Sequence, residues 1–470
     1  MSKTKAALAV LCSLIAACAV GPNYHPPKRN TPDAWAGLTQ SSQPSVVTSQ
    51  SADLARWWEQ FHDPALMALV EEALKANPSL AIAEANLRQA RALRDVAAGG
   101  LWPSLSASAS YQRQAGPLYY TNGTPRNLYQ ADFDAAWELD IFGGVRRQVE
   151  SAAANVQVAV ENIRDVQVSI AAEVALDYVQ LRGNQQEVVT AQNNLEVERH
   201  TAEITRKLYK VGFDSGLDMA EAQSIVATTE AQIPVNETAA RQSIYALSVL
   251  LGRPPAYLLE RLAPIGDLPS IPAQIPAGMP SDLLRRRPDI RQAEAALHGA
   301  TAQIGVAVAQ LFPQFSLSGG STWQSTGLHR WFESSNRSVF AGPAVSWPIF
   351  QGGAIVANIH AQEALRDQAF ISYQQSVLTA LQDVENALIA FTEEQAHQKS
   401  LSDAVAADHK AVDLSLTLFQ QGQTDFLNVL TAQRTLYTDD SALTQSKENV
   451  AADLIALYKA LGGGWEAPRQ

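Results

Sequence analysis

Asp132-Phe133-Asp134-Ala135-Ala136-Trp137-Glu138-Leu139-Asp140-Ile141-Phe142-Gly143-Gly144 alternates strictly before its closing glycines. Acids and small residues occupy the even positions, and apolar or aromatic residues the odd ones. That period of two predicts a strand with one wet face and one greasy face. Upstream, Leu105, Ala107, Ala109 and Tyr111 alternate with Ser106, Ser108 and Ser110, so a second strand precedes the first across the polar loop 114–131. The same design returns later in the chain. Phe315, Leu317, Gly319, Ser321 and Trp323 form one run, and Val339, Ala341, Pro343, Val345, Trp347 and Ile349 another, separated by 325–338. Four strands are expected, over 103–113, 132–142, 314–324 and 339–350.

The return is a tandem duplication with a period of about 210 residues. Asn77-Pro78 matches Arg287-Pro288, Trp102-Pro103-Ser104-Leu105 matches Phe312-Pro313-Gln314-Phe315, and Tyr209-Lys210-Val211-Gly212 matches Phe419-Gln420-Gln421-Gly422, each 210 residues apart. Ile141-Phe142-Gly143-Gly144 against Ile349-Phe350-Gln351-Gly352-Gly353 marks a small indel. The layout is then a signal peptide over 1–17, an N-terminal extended segment over 18–62, a first repeat over 63–252, a proline-dense connector over 253–280, a second repeat over 281–463 and a tail over 464–470.

Within each repeat a helical segment comes first, about 65–98 and 282–310, with Leu66, Leu69, Val70, Ala73 and Leu74 at helical spacing. After the strands come proline-free runs over 145–211 and 354–421, each long enough for a helix of roughly 100 Å. Gly183 is the only glycine interrupting the first run. A glycine turn and a returning helix follow, and Pro234 is expected to break the first return.

Lys3 and Lys5 ahead of the apolar stretch Ala6 to Val20 read as a secretory signal, too short to span a membrane. Ile15-Ala16-Ala17-Cys18 resembles a bacterial lipobox, which implies acylation of Cys18; an ordinary cleavage site is the plainer alternative. Cys12 and Cys18 are the only cysteines, so the exported part holds no internal disulfide. A net charge of −12 argues against nucleic acid as a partner, since neutralising phosphates needs a concentrated basic surface. Scattered histidines and the absence of zinc, Walker or nucleophile-elbow motifs point to no enzyme, no metal and no cofactor.

Ten-residue strands with one apolar face suit a membrane barrel, but four of them cannot close. Unpaired edges in lipid cost several kcal/mol per backbone group, so several chains must share a barrel. Two chains give eight strands with a filled interior; three give twelve and an open lumen.

The lipobox, Gly21-Pro22-Asn23-Tyr24, Arg56-Trp57-Trp58, Leu284-Arg285-Arg286-Arg287-Pro288-Asp289-Ile290, Ile349-Phe350-Gln351-Gly352-Gly353 and Tyr458-Lys459-Ala460-Leu461-Gly462-Gly463-Gly464-Trp465 together resemble the TolC-like outer-membrane factors of tripartite efflux systems, in particular the NodT-like lipoprotein branch. The resemblance covers nearly all of the exported chain. It implies a mixed α/β membrane protein: a homotrimer with a twelve-stranded outer-membrane barrel, four strands per chain, continued by a long periplasmic helical barrel. It further implies a periplasmic adaptor and an inner-membrane transporter of RND or MFS type as partners, beside outer-membrane lipid. A type I protein-secretion duct and a non-conducting envelope scaffold are the competing readings.

Under that resemblance the glycine turns are the periplasmic tips. Gly212, Phe213, Ser215, Gly422, Thr424 and Asp425 become adaptor contacts, and Leu217, Asp218, Glu221, Leu427, Asn428 and Thr431 candidates for a gate. Asn428 and Thr431 stand where related gates often carry aspartate, so an acidic constriction would come from Asp218 and Glu221. Ser215-x-x-Asp218 also reads simply as a capping box. Asp132, Asp134, Glu138 and Asp140 would line the lumen, or merely wet it. Trp137, Trp323 and Trp347 mark either membrane interfaces or, for Trp347, the junction of barrel and helix. The Arg285-Arg286-Arg287 run binds an acid or headgroup, or pairs with neighbouring helices.

Overall fold

The computed structural model describes residues 19–28, 31–37, 46–48, 54–114, 125–272 and 274–465. Cys18 and the signal peptide lie outside the described residues. Two compact units divide the chain. One comprises the N-terminal stretch up to Lys28 with Ala85–Val160 and Gln292–Gln375; the other comprises Arg29–Glu84, Glu161–Arg291 and Ser376–Gln470.

The elements keep the duplication closely. A short strand β1 (Val46–Thr48) and helix α1 (Pro64–Ala76) precede repeat one's α2 (Pro78–Gly99), β2 (Ser104–Gln114), β3 (Arg126–Leu139), α3 (Gly144–Lys210) and α4 (Gly216–Leu250). After β4 (Gln274–Pro276), repeat two supplies α5 (Pro288–Ala309), β5 (Gln314–Ser325), β6 (Arg337–Ser346), α6 (Ala354–Gln420) and α7 (Phe426–Ala460). Helices α3 and α6 are both 67 residues long, and α4 and α7 both 35, so the period survives at the level of whole elements.

Proline sets the first break in each repeat. Asn77 and Arg287 each precede a proline, whose ring pushes the preceding residue out of the helical region, and both adopt extended ψ values of 129° and 118°. Each then ties down the end of its own return helix. Asn77 Nδ2 donates to the Leu250 carbonyl at 2.8 Å, and Arg287 Nη1 to the Ala460 carbonyl at 3.1 Å. Arg287 also pairs with Asp289 and Asp383 at 2.7 and 3.0 Å, which assigns it to helix anchoring. Beside it, Trp465 Nε1 donates to the Arg286 carbonyl while Arg164 and Arg291 lie over the Trp465 ring. The arginine and glycine-tryptophan motifs interlock in the interior.

Two expectations need correction here. Pro234 does not break the return helix: α4 is continuous from Gly216 to Leu250 with the proline inside. Pro234 is exposed, so the carbonyl that loses its donor can turn to water, and Thr238 Oγ1 donates to the Pro234 carbonyl at 2.7 Å. The connector is not wholly extended either. Helical turns at Pro255–Leu258 and Leu259–Leu262 come first, and only later does β4 pair in parallel with β1.

In the first unit a four-stranded antiparallel sheet has the order β2-β3-β5-β6, so β3 and β5 join the hairpins of the two repeats. Direct partners share a face. Ser106, Asp134, Gly320 and Phe340 form one row of the polar face, and Ala107, Phe133, Ser321 and Val339 one row of the apolar face. No helix among the described residues is long and apolar enough to cross a membrane.

Candidate functional site

The second strand begins at Arg126, six residues before the expected 132, and ends at Leu139. Its extra length comes from Tyr129 and its neighbours, which pair with the far end of β2. It stops because Asp140 leaves the sheet. The Asp140 carboxylate accepts from the Val145 and Arg146 amides at 3.0 Å each and from Arg146 Nε at 3.1 Å, capping α3. Asp140 is therefore no lumen acid, a correction to the alternation reading. The fourth strand likewise stops at Ser346, short of 350, because Pro348 has no amide to continue a ladder.

Asp132, Asp134 and Glu138 do share the polar face, opposite Thr322, Gly320 and Ser316 respectively. Asp132 is the most engaged, accepting from Thr322 Oγ1 at 2.7 Å and Ser108 Oγ at 3.3 Å. Phe340 lies over Gly320, where a Cβ would come within 2.6 Å of its ring and 2.7 Å of Asp134 Oδ1. That aromatic on the wet face escaped the sequence reading, which followed only the odd-numbered residues of its strand.

The tryptophans sort themselves by register. Trp137 Nε1 donates to the Leu101 carbonyl and Trp347 Nε1 to the Leu311 carbonyl, both at 3.0 Å, so each pins the end of the helix that leads into its hairpin. Trp323 lies toward the other end of the sheet, amid Phe133, Phe332 and the Arg337 guanidinium. Six residues of β5 separate Trp323 from Leu317, the partner of Trp137. At about 3.3 Å per residue the two aromatic positions stand roughly 20 Å apart along the strand.

Below the sheet's helix-proximal end, the N-terminal segment is clamped within the same unit. Arg147 donates to the carbonyls of Val20 and Gly21 at 3.1 and 3.3 Å and to Asn23 Oδ1 at 2.7 Å. Tyr24 stacks on His298 with centroids 4.4 Å apart, and His298 Nε2 meets Glu150 Oε1 at 2.9 Å. Gly21 lies so close to Gly305 that a Cβ would fall 2.5 Å from its Cα. The motif Gly21-Pro22-Asn23-Tyr24 thus fixes the chain a few residues from Cys18.

In the second unit the tips have the predicted turns. Gly212 and Gly422 are in the left-handed region, with φ of 83° and 67°. Phe213 is 85% exposed, and Leu217 and Leu427 are 66% and 61% exposed, so the apolar tip residues face outward. Ser215 and Asp218 form the capping box: Ser215 Oγ accepts from the Asp218 amide at 3.2 Å and donates to Asp218 Oδ2 at 2.6 Å. Burial and the neighbouring Asp218 carboxylate push Asp214 up to about 6. Asp218 moves the opposite way: although burial opposes it, hydrogen bonds from Asp214 and Ser215 hold it below the usual range. Repeat two differs. Asn428 Nδ2 donates to Thr424 Oγ1, Asp425 is an N-cap without a side-chain cap bond, and Thr431 Oγ1 donates to the Leu427 carbonyl. Glu221 lies one turn beyond Asp218 on α4. The two tips are packed together through Ala222, Ile225, Phe419, Phe426, Val429 and Leu430.

Outer membrane efflux protein is the family that matches, over residues 69–253 and 279–463, one match for each repeat. The chain belongs to that family. Nodulation protein T of Rhizobium leguminosarum bv. viciae is 31% identical over 477 residues, covering 100% of this chain and 95% of its own. The toluene efflux pump outer membrane protein TtgC of Pseudomonas putida is 31% identical over 474 residues, covering 99% and 96%. The solved outer-membrane channel OprN superposes with a TM-score of 0.87 at 35% identity, covering 95% of this chain and all of that one. As an outer membrane efflux protein, this chain has the tandem-duplicated channel fold and resides in the outer membrane with its helices in the periplasm.

Proposed function

We propose that the chain is the passive exit duct of a tripartite efflux pump, assembled as a homotrimer and fed by a periplasmic adaptor and an inner-membrane transporter of RND or MFS type. One observation supports it above the rest: a four-stranded sheet with an apolar face, a polar face and two edge strands, β2 and β6. Three such sheets close into twelve strands and leave no edge in lipid. Asp132, Asp134 and Glu138 then line the lumen. Small molecules are the cargo, of the apolar, toxic class for which the toluene efflux relative is named. Energy comes from the partner transporter, and the tips carry both the gate and the adaptor contact. Acylation at Cys18 anchors the N-terminus, and the Arg147 clamp sets where that anchor meets the barrel.

Dye accumulation in a deletion strain, with the neighbouring transporter deleted beside it, tests the whole reading. Equal loss of export in single and double deletions is the expected result; unchanged accumulation overturns it. Planar-bilayer recording of the purified trimer separates a duct from a scaffold, which passes no current. Intact mass of the membrane-extracted chain checks Cys18, and loss of the acyl mass in Cys18→Ala is expected.

A further inference from the structure

Helix α3 of repeat one and helix α7 of repeat two are packed antiparallel along a seam that is polar where a core would be expected. Near the tips, Gln433 Nε2 donates to Thr201 Oγ1 at 2.7 Å. Farther up, Asn194 Nδ2 reaches Asp440 Oδ2 at 3.2 Å and Ser441 Oγ donates to Glu187 Oε2 at 2.9 Å. Higher still, the Glu448 carboxylate occupies the space that a side chain at Gly183 would need. Gly183, in the middle of repeat one's long helix, leaves room for that acid.

The seam is short of hydrogens. Glu198 is 2% exposed; Thr229 Oγ1 of α4 donates to its Oε1 at 3.0 Å, its Oε2 has no partner among the described residues, and its charge is felt by the Tyr437 phenol of α7. Glu187 Oε1 and Gln433 Oε1 are likewise buried without a donor among the described residues. Glu448 has the Gln445 amide as its neighbour on α7 and faces the Glu187 carboxylate. Among the described residues no ion pair reaches Glu187, Glu198, Asp440 or Glu448. The other titratable groups facing them are Asp440 and the Tyr437 phenol from α7, while Glu230 on α4 is exposed and held by Arg199. At the upper end, Arg182 is turned to Gln185 and the Pro264 carbonyl. A buried carboxylate without a cation is costly, and a proton on the acid removes the charge.

We propose that Glu187, Glu198 and Glu448 form a proton-binding seam that holds α7 against α3 while protonated and releases it when the protons leave, freeing the tips of the two repeats to part. The balance is simple: three carboxylic O–H bonds form or break against bulk water. Burial pushes Glu198 and Glu448 up to about 7 and raises Glu187, where Asp440 adds to the effect. The seam therefore changes occupancy near neutral pH. The inference rests on the tips being the gate, so its test carries a readout at the seam itself.

The variant is Glu187→Gln, Glu198→Gln, Glu448→Gln, whose amides imitate the protonated acids at constant size. Spin labels at the exposed positions His200 and Thr435 report the short, within-chain distance between α3 and α7 in the assembled trimer. In the otherwise unaltered protein that distance is expected to lengthen between about pH 6 and pH 8, with resting conductance rising roughly threefold or more; the variant keeps the acid distance and the low current throughout. A variant that lengthens with pH as the parent does, or a parent distance that ignores pH, overturns the proposal. A distance that follows pH with flat currents keeps the seam and sinks the gate reading of the tips. Trimer retention on gels at both pH values, and recovery of pH dependence in the double variant Glu187→Gln, Glu448→Gln, which keeps the native Glu198, distinguish proton binding from mere packing.

Discussion

Asn428 and Thr424 bridge the tip turn of repeat two at 2.7 Å, in the positions that Asp218 and Asp214 occupy in repeat one. The same i,i+4 geometry is served by a neutral amide and hydroxyl in one copy and by two carboxyl groups in the other. Only the second arrangement depends on a proton. Duplication gave the chain two tips, and divergence left a facing carboxyl pair in one of them.

That difference has a measurable sign. Because Asp214 is raised to about 6 in the folded tip, the protonated form contributes stability that is complete below its ordinary value and is lost as pH rises through about 6. Asp214→Asn should flatten the pH dependence of trimer melting over that window. Thr424→Asp with Asn428→Asp, which rebuilds the carboxyl pair in repeat two, should steepen it.

Removing the acids of repeat one tests the constriction. Asp218→Ala with Glu221→Ala is expected to raise resting conductance, and the lost capping box should cost about 1 kcal/mol of local helix stability. Ser215→Ala removes the cap alone. If it raises the current as much as the double variant, capping and not charge closes the tip.

Gly183→Ala places a methyl where the Glu448 carboxylate lies. The methyl must displace that carboxylate at a cost of up to about 1–3 kcal/mol, alanine's better helix propensity offsets about 1 kcal/mol of it, and trimer melting should fall by the balance. Adding Glu448→Ala should restore most of the loss, a coupling that a propensity effect of alanine in helix α3 would not show.

Arg147→Ala leaves the Val20 and Gly21 carbonyls, Asn23 and Glu150 short of a charged donor. We expect a loss of about 2 to 4 kcal/mol in the barrel-proximal unit, read by thermal melting, and new protease cleavage between residues 19 and 28. Cys18→Ala should not reproduce that cleavage, because the clamp acts on the chain and not on the acyl group.

Much of this was legible in the sequence, and the reasons differ by element. Period-two alternation exposed all four strands, since a sheet facing lipid on one side and water on the other writes its register into every second residue. The offset of 210 residues was readable because the indel between repeats is small. Asp140 was misplaced because alternation cannot tell the last residue of a strand from an acid that folds back to cap the next helix. Pro234 misled because a proline on an exposed helix face sacrifices a hydrogen bond that water replaces. The partnership of Gly183 with Glu448 was invisible, since nothing local ties residues so far apart in the chain. At the tips, both the capping box and the turn glycines were plain; the Asp214 carboxyl beside Asp218 was not, because its significance lies in proximity across a turn.

The unlike tips also constrain stoichiometry. Around a threefold axis, two hairpins per chain make a crown of six, on which footprints with and without the Asp214–Asp218 pair alternate. A docking ring of six identical subunits would meet two different surfaces in turn, so half its members must tolerate chemistry that the other half do not encounter. A ring of three can choose one set, and its choice would decide whether coupling to the channel responds to acidity.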